Sequence, residues 1–244
     1  MNFNNISVVV EDGVAVVLMD RPPVNAMSAK FRRDLTDVFA ELGNNPEVRA
    51  IVISGANNVF CGGMDIKEKG DPVRARSDAE HRAFTNGLRE CPIPIVAALN
   101  GATVGTGVNI AAACDVIVAS ENAFMAMPEV SVGIPNGASG LVRLFGQSRG
   151  RRMFFTGMRV SAAELYRLGV VEACVPADQL MSKALQIAHE IAKQDPLVLA
   201  AAKHIYNLAQ EVPFGIAKNM EYAMAAQLSA VRMSGGALTS KGGV

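Results

Sequence analysis

The chain is 244 residues long, enough to bury a large core without disulfide or metal staples, and its composition, 50% hydrophobic and 19% charged, excludes a disordered or fibrous protein. Lys plus Arg and Asp plus Glu both number 23, so no net field draws nucleic acid or an anionic membrane from a distance. Cys61, Cys91, Cys114 and Cys174 show no C-x-x-C spacing and no histidine placed as a second zinc ligand, so they read as reduced, structural thiols and no metal site is expected. The opening MNFNNISVVVEDG lacks the basic and apolar regions of a secretory signal, and no stretch reaches the ~18 apolar residues of a membrane span; a soluble, cytoplasmic protein is expected.

Residues 6–10 and 14–19 are β-branched runs around Glu11-Asp12-Gly13, a dipeptide signal for a tight hairpin. Ser28 is placed to cap a helix whose Phe31, Leu35, Val38, Phe39 and Leu42 share one face, with Gly43 ending it. Residues 50–54, 93–99 and 116–119 are short apolar runs suited to strands buried on both faces. The first two lead into glycine-rich turns, Phe60-Cys61-Gly62-Gly63-Met64-Asp65 and Asn100-Gly101 followed by Gly105-Thr106-Gly107, the latter opening an alanine-rich helix. Residues 71–86 are polar and charged and read as a segment that covers a pocket. Ser161-x-x-Glu164 is a capping box before a helix stopped by Gly169, and residues 183–193, 197–208 and 220–231 carry helical periodicity. Strands alternating with helices make the fold class α/β, with a core over residues 1–190 and a helical extension over 191–244 in the same domain.

Two glycine-rich strand-to-helix turns have a specific chemical use, because a backbone N–H reaches a ligand oxygen only where no side chain blocks it. Converging, they would each give one N–H to the same oxygen, with the helix after Thr106 adding its positive end. For one turn alone, tight packing is the ordinary reason for glycine. The lysine and hydroxyl of a phosphate loop are absent, and Gly105-Thr106-Gly107 lacks the third glycine of a dinucleotide fingerprint, which disfavours nucleotide hydrolysis and hydride transfer.

Four segments occur in order: RPPVNAMS at residues 21–28, FCGGMDIKE at 60–68, then PIPIVAALNGATVGTG and MPEVSVGIPNGASG. Together they resemble the crotonase (enoyl-CoA hydratase/isomerase) superfamily, whose motifs read R-P-x-x-N-A, F-[CS]-[AG]-G-x-D-[IL]-K-E, a glycine-rich strand-to-helix turn, and P-E-x-x-[LV]-G. The likeness runs from about residue 6 to about 230. It implies a spiral of β-β-α repeats with a C-terminal helical region, an acyl-CoA substrate with no separate cofactor, no nucleic-acid or membrane partner, and a homotrimer or dimer of trimers.

Carried over residue by residue, the resemblance makes the N–H groups of Met64 and Thr106 the donors of an oxyanion hole and Glu129 the acid/base. It puts Asn109 where many relatives have a second carboxylate. Asp65, Ile66 and Lys67 match the loop around the adenine end of coenzyme A, Gly63 and Gly105 clear the approach to the ligand, and Gly137 matches a substrate-placing glycine. Asn109 can orient water but cannot deprotonate it, whereas one carboxylate suffices to move a proton from the α-carbon to the γ-carbon. The expected reaction is therefore Δ3 to Δ2 isomerisation through a thioester enolate. Alternatives are hydration of a 2-enoyl-CoA, decarboxylation or C–C bond formation through the same enolate, and, more remotely, a non-catalytic interaction or RNA-binding scaffold. His81, His189 and His204 match no catalytic position, and the A-F-x-x-K-R segment of many relatives is absent from the terminal SGGALTSKGGV.

Overall fold

The computed structural model of the chain describes residues 3–65, 67 and 74–233. The expected hairpin forms from β1 (Ile6–Glu11) and β2 (Val14–Met19), with Asp12 and Gly13 both at positive φ in its turn. Helix α1 (Ala29–Gly43) starts at Ser28, whose Oγ accepts the Phe31 N–H; it runs through Gly43 and closes at Asn44, whose N–H reaches the carbonyls of Glu41 and Leu42. Phe31, Leu35, Val38, Phe39 and Leu42 are buried as their spacing requires, and Arg32 is buried among them.

A backbone repeat then unfolds three times. β3 (Ala50–Gly55) and β4 (Val59–Cys61) precede α2 (Arg74–Glu90); β5 (Ile95–Leu99) and β6 (Ala102–Val104) precede α3 (Thr106–Ala113); β7 (Val116–Ser120) and β8 (Phe124–Ala126) precede a short 3-10 turn, Glu129–Val132, and α4 (Ala138–Thr156). The first strand of each pair joins a six-stranded sheet in the order β1, β2, β3, β5, β7 and a last strand β10 (Ala173–Val175). The second joins a four-stranded sheet in the order β4, β6, β8 and a short β9 (Val160–Ser161). Corners between paired strands are tight: a β-carbon on Gly101 would overlap the Asn58 carbonyl.

The inner strands β3, β5 and β7 are largely apolar because both of their faces are covered. Ile51, Ile53, Ile95, Ala97, Ile117 and Ala119 pack into the main core with α1 and α3. Their neighbours Ala50, Val52, Val96, Ala98 and Val118 face Leu180, Ala184 and Ala188. Those three belong to α6 (Leu180–Ala192), which follows α5 (Ala162–Arg167). Residue 190 thus falls in the last turn of a helix packed on the sheet. Beyond it, α7 (Pro196–Ala209) is capped by Asp195 and anchored by the buried Lys203, which meets Asp115 at 2.8 Å and the Ile93 carbonyl at 3.2 Å. The final helix, α8 (Phe214–Met233), packs on α7 and leaves Phe214, Ile216 and Tyr222 exposed.

Residues 74–86 of the polar segment lie in α2, where Phe84 and Leu88 are buried; residues 71–73 lie outside the described residues. One expectation is corrected. The capping box is half formed: Ser161 Oγ accepts the Glu164 N–H, but the Glu164 carboxylate is taken by Arg149 at 2.7 Å and Arg167 at 2.6 Å. Two guanidiniums outcompete one backbone N–H for it. The terminal 234–244 also lie outside the described residues.

Candidate active site

Topology alone gathers the predicted residues. β4 pairs with β6 in parallel, Cys61 opposite Thr103, and β6 with β8, Val104 opposite Ala126. Parallel neighbours release their chains at the same end. The Gly62–Asp65 loop, the Gly105–Thr106 turn and the Met127–Glu129 segment therefore emerge side by side. They also touch: a β-carbon on Gly63 would stand 3.3 Å from the Val104 carbonyl, and one on Gly107 would stand 2.9 Å from Cys61 Cβ.

The first loop is held on its other side by the 21–27 segment. Gly62 N–H donates to the Val24 carbonyl at 2.8 Å, Asn25 Nδ2 donates to the Val59 carbonyl at 2.8 Å, and Arg21 meets Asp65 at 2.7 Å. Met27 N–H donates to the Gly63 carbonyl at 2.8 Å, and Asp65 N–H to the Met27 carbonyl at 3.2 Å. The Gly63 carbonyl and the Met64 N–H belong to one planar trans peptide, so anchoring the carbonyl on Met27 turns the Met64 N–H the opposite way. That N–H has no partner among the described residues. The R-P-x-x-N-A motif is thus the strap that orients the Met64 N–H, the expected first donor.

The Thr106 N–H, the expected second donor, is left free by helix geometry. Thr106 is the first residue of α3, where the N–H has no intrahelical acceptor, and the preceding Gly105 carbonyl already accepts the Val108 and Asn109 N–H groups. The positive end of α3 faces the same space.

Glu129 completes the site. A β-carbon on Gly105 would overlap its Oε1 and stand 3.1 Å from its Cδ, so the carboxylate rests on the bare α-carbon of the residue before the second donor. Its Oε2 is buried with no hydrogen-bond partner among the described residues, and the same is true of Asn109 Oδ1, which points at Gly140 of α4. Buried polar atoms are nearly always paired, so two orphans at these two positions mark a site built for something else to bind. Burial pushes the Glu129 carboxyl above its ordinary range, opposed only by its own backbone N–H; no second carboxylate contributes. Burial, the Glu129 charge adding to it, pushes the Cys61 thiol up to about 12, so this thiol is neutral and no nucleophile.

The remaining predicted residues divide. Asp65 is drawn below the usual carboxylate range by Arg21, and the Lys67 N–H donates to its Oδ1 at 3.0 Å, leaving the Lys67 side chain exposed. Ile66 lies outside the described residues. Gly137 begins α4 at a φ of 102°, but its N–H is engaged by Asn136 Oδ1 at 2.8 Å. His189 and His204 sit on α6 and α7, away from these loops. Sequence reasoning missed Arg21 and Asn25 as supports, although they stand in a motif it quoted, and missed Arg32, whose polar type hid its burial.

Comparison with known proteins identifies the family. The family model for enoyl-CoA hydratase/isomerase matches residues 10–232. A Mycobacterium tuberculosis (7aS)-7a-methyl-1,5-dioxo-2,3,5,6,7,7a-hexahydro-1H-indene-carboxyl-CoA hydrolase is 37% identical over 223 residues, 90% of each chain. Carnitinyl-CoA dehydratase of Proteus mirabilis is 35% identical over 205 residues, 82% of this chain and 78% of its own. The crystal structure of an enoyl-CoA hydratase from Bacillus anthracis superposes with a TM-score of 0.87 at 28% identity, covering 91% of this chain and 90% of its own. The α/β fold is shared with the enoyl-CoA hydratase structure. The chain is an enzyme of the crotonase superfamily, in the enoyl-CoA hydratase/isomerase family.

Proposed function

We propose that the protein binds an acyl-CoA thioester, stabilises its enolate with the Met64 and Thr106 N–H groups, and uses Glu129 to shuttle one proton, converting a 3-enoyl-CoA to the 2-enoyl isomer. The carrying observation is Glu129 itself: a half-buried carboxylate with a buried, unpartnered oxygen, a raised proton affinity and no neighbouring carboxylate among the described residues. A raised pKa suits a group that must both take and return a proton near neutrality. Each oxyanion donor contributes roughly 3–4 kcal/mol, because charge develops on the thioester oxygen only during reaction, and a placed base adds about 10²–10⁴-fold.

Hydration or dehydration is the second reading, favoured by the orphaned Oδ1 of Asn109, which would accept a hydrogen from a water, and by the dehydratase name of a 35% identical relative. Supplying a 3-enoyl-CoA and, separately, a 2-enoyl-CoA while following the absorbance of the conjugated thioester decides between them. Growth from the 3-enoyl substrate alone is expected; loss from the 2-enoyl substrate would establish hydration instead. The exposed apolar residues of α8 support the homotrimer or dimer of trimers, which light scattering of the purified protein tests.

A further inference from the structure

Arg32 sits in the first turn of α1, 1% exposed, among Phe31, Leu35 and Val38. Burying a guanidinium is costly, and a core position of this kind ordinarily takes an aliphatic residue. Its Nη1 donates to the Met27 carbonyl at 3.1 Å and lies 3.4 Å from Met64 Sδ. Met27 is the residue whose carbonyl accepts the Asp65 N–H and whose N–H fixes the Gly63–Met64 peptide. One buried cation therefore grips the strap and the side chain of the first donor residue together.

The donor residue makes such a grip useful. The N–H of Met64 must be open to the thioester oxygen, yet Met64 carries a long unbranched side chain that rotates freely and is 40% exposed. Glycine or alanine at that position would leave the approach clear by itself. The loop lies between Met27 and Arg32 on one side and Val104 on the other. The sulfur contact holds the side chain on the α1 side of the loop.

We propose that Arg32 is a positioning residue: it parks the Met64 side chain against α1, keeping the first oxyanion donor open, and so sets the rate of enolate formation. This rests on the reading of the Met64 N–H as a donor. The test is exchange of α-protons of butanoyl-, hexanoyl- and decanoyl-CoA in deuterium oxide, read by mass spectrometry, which reports the enolate whatever the later chemistry. Arg32→Leu is expected to lower the saturated exchange rate about tenfold with the dissociation constant for the acyl-CoA changed less than about twofold. Added to Met64→Ala, the same substitution is expected to cost less than about twofold relative to Met64→Ala alone, since no side chain is left to park.

Equal losses in both backgrounds would overturn the proposal while leaving the enolate reading intact. Absence of exchange by the unaltered protein with all three substrates would overturn both. Should Arg32→Leu fail to fold, Met64→Leu gives the same decision with Arg32 in place. Keeping the bulk but not the sulfur, it is expected to exchange at least about fivefold more slowly than Met64→Ala, and a Leu variant as fast as the Ala variant would refute the tether.

Discussion

Gly105→Ala is the sharpest perturbation of the site. Gly105 has a φ of 56° and a ψ of −113°, a conformation open to glycine and strained for alanine by about 1–3 kcal/mol. The new methyl would also overlap Glu129 Oε1, so the carboxylate must retreat by about 1 Å, a misplacement that costs on the order of 10²-fold in a catalytic step. The strain is small against the 5–15 kcal/mol of a typical fold, so the variant should remain folded, its melting point lower by a few degrees. Gly169→Ala is the matched control, with a φ of 70° and nothing within 4 Å of the added carbon. Both should lose similar stability, whereas only Gly105→Ala should lose about hundredfold in kcat for α-proton exchange. A Gly105→Ala protein working within threefold of the unaltered one would refute the placement of Glu129 against that α-carbon.

Glu129→Gln should abolish proton exchange while the protein still binds acyl-CoA, measured by calorimetry. Because burial raises the Glu129 pKa, the basic form accumulates only as pH rises through that raised value, so the acid limb of kcat should lie above the ordinary 4.5. The same shift means that ionising Glu129 costs folded stability; Glu129→Gln should melt higher at pH 8, the difference shrinking as pH falls and Glu129 takes up its proton. Asp65 runs the other way: Arg21 depresses its pKa from 3.8, so the contribution of that pair is present above this value and disappears as pH falls through the lowered one. Arg21→Gln should therefore be less stable than the unaltered protein at pH 7, with the gap closing in acid. Lys203→Ala removes a buried cation, but Asp115 is solvent-accessible and keeps the Ile95 N–H at 2.7 Å, so the cost in urea unfolding should be about 1–3 kcal/mol.

Much of this was legible in the chain. The hairpin, α1, the large-sheet strands and the C-terminal helices each carry enough residues for periodicity, capping or a turn dipeptide to register, and the ordered motifs single out Met64, Thr106, Asn109 and Glu129 as candidates. What the sequence could not register was short or non-local. β4, β6 and β8 have three residues each, too few to show a period, yet their parallel pairing is what brings the three loops to one end. α2 reads as polar, and among its side chains of described burial Phe84 and Leu88 are the buried ones.

Sequence by itself determined which residue types were available: one glutamate where relatives often have two acids, glycine where backbone must be bare, and a methionine where a smaller residue would do. Tertiary structure alone decided how they are used. The direction of the Met64 N–H depends on a hydrogen bond from Met27, 36 positions before Gly63, and the need for glycine at 105 depends on a carboxylate 24 residues later. Arg32 could be told from a surface arginine only once α1 was laid against the first loop, because burial belongs to the packed whole and not to the residue.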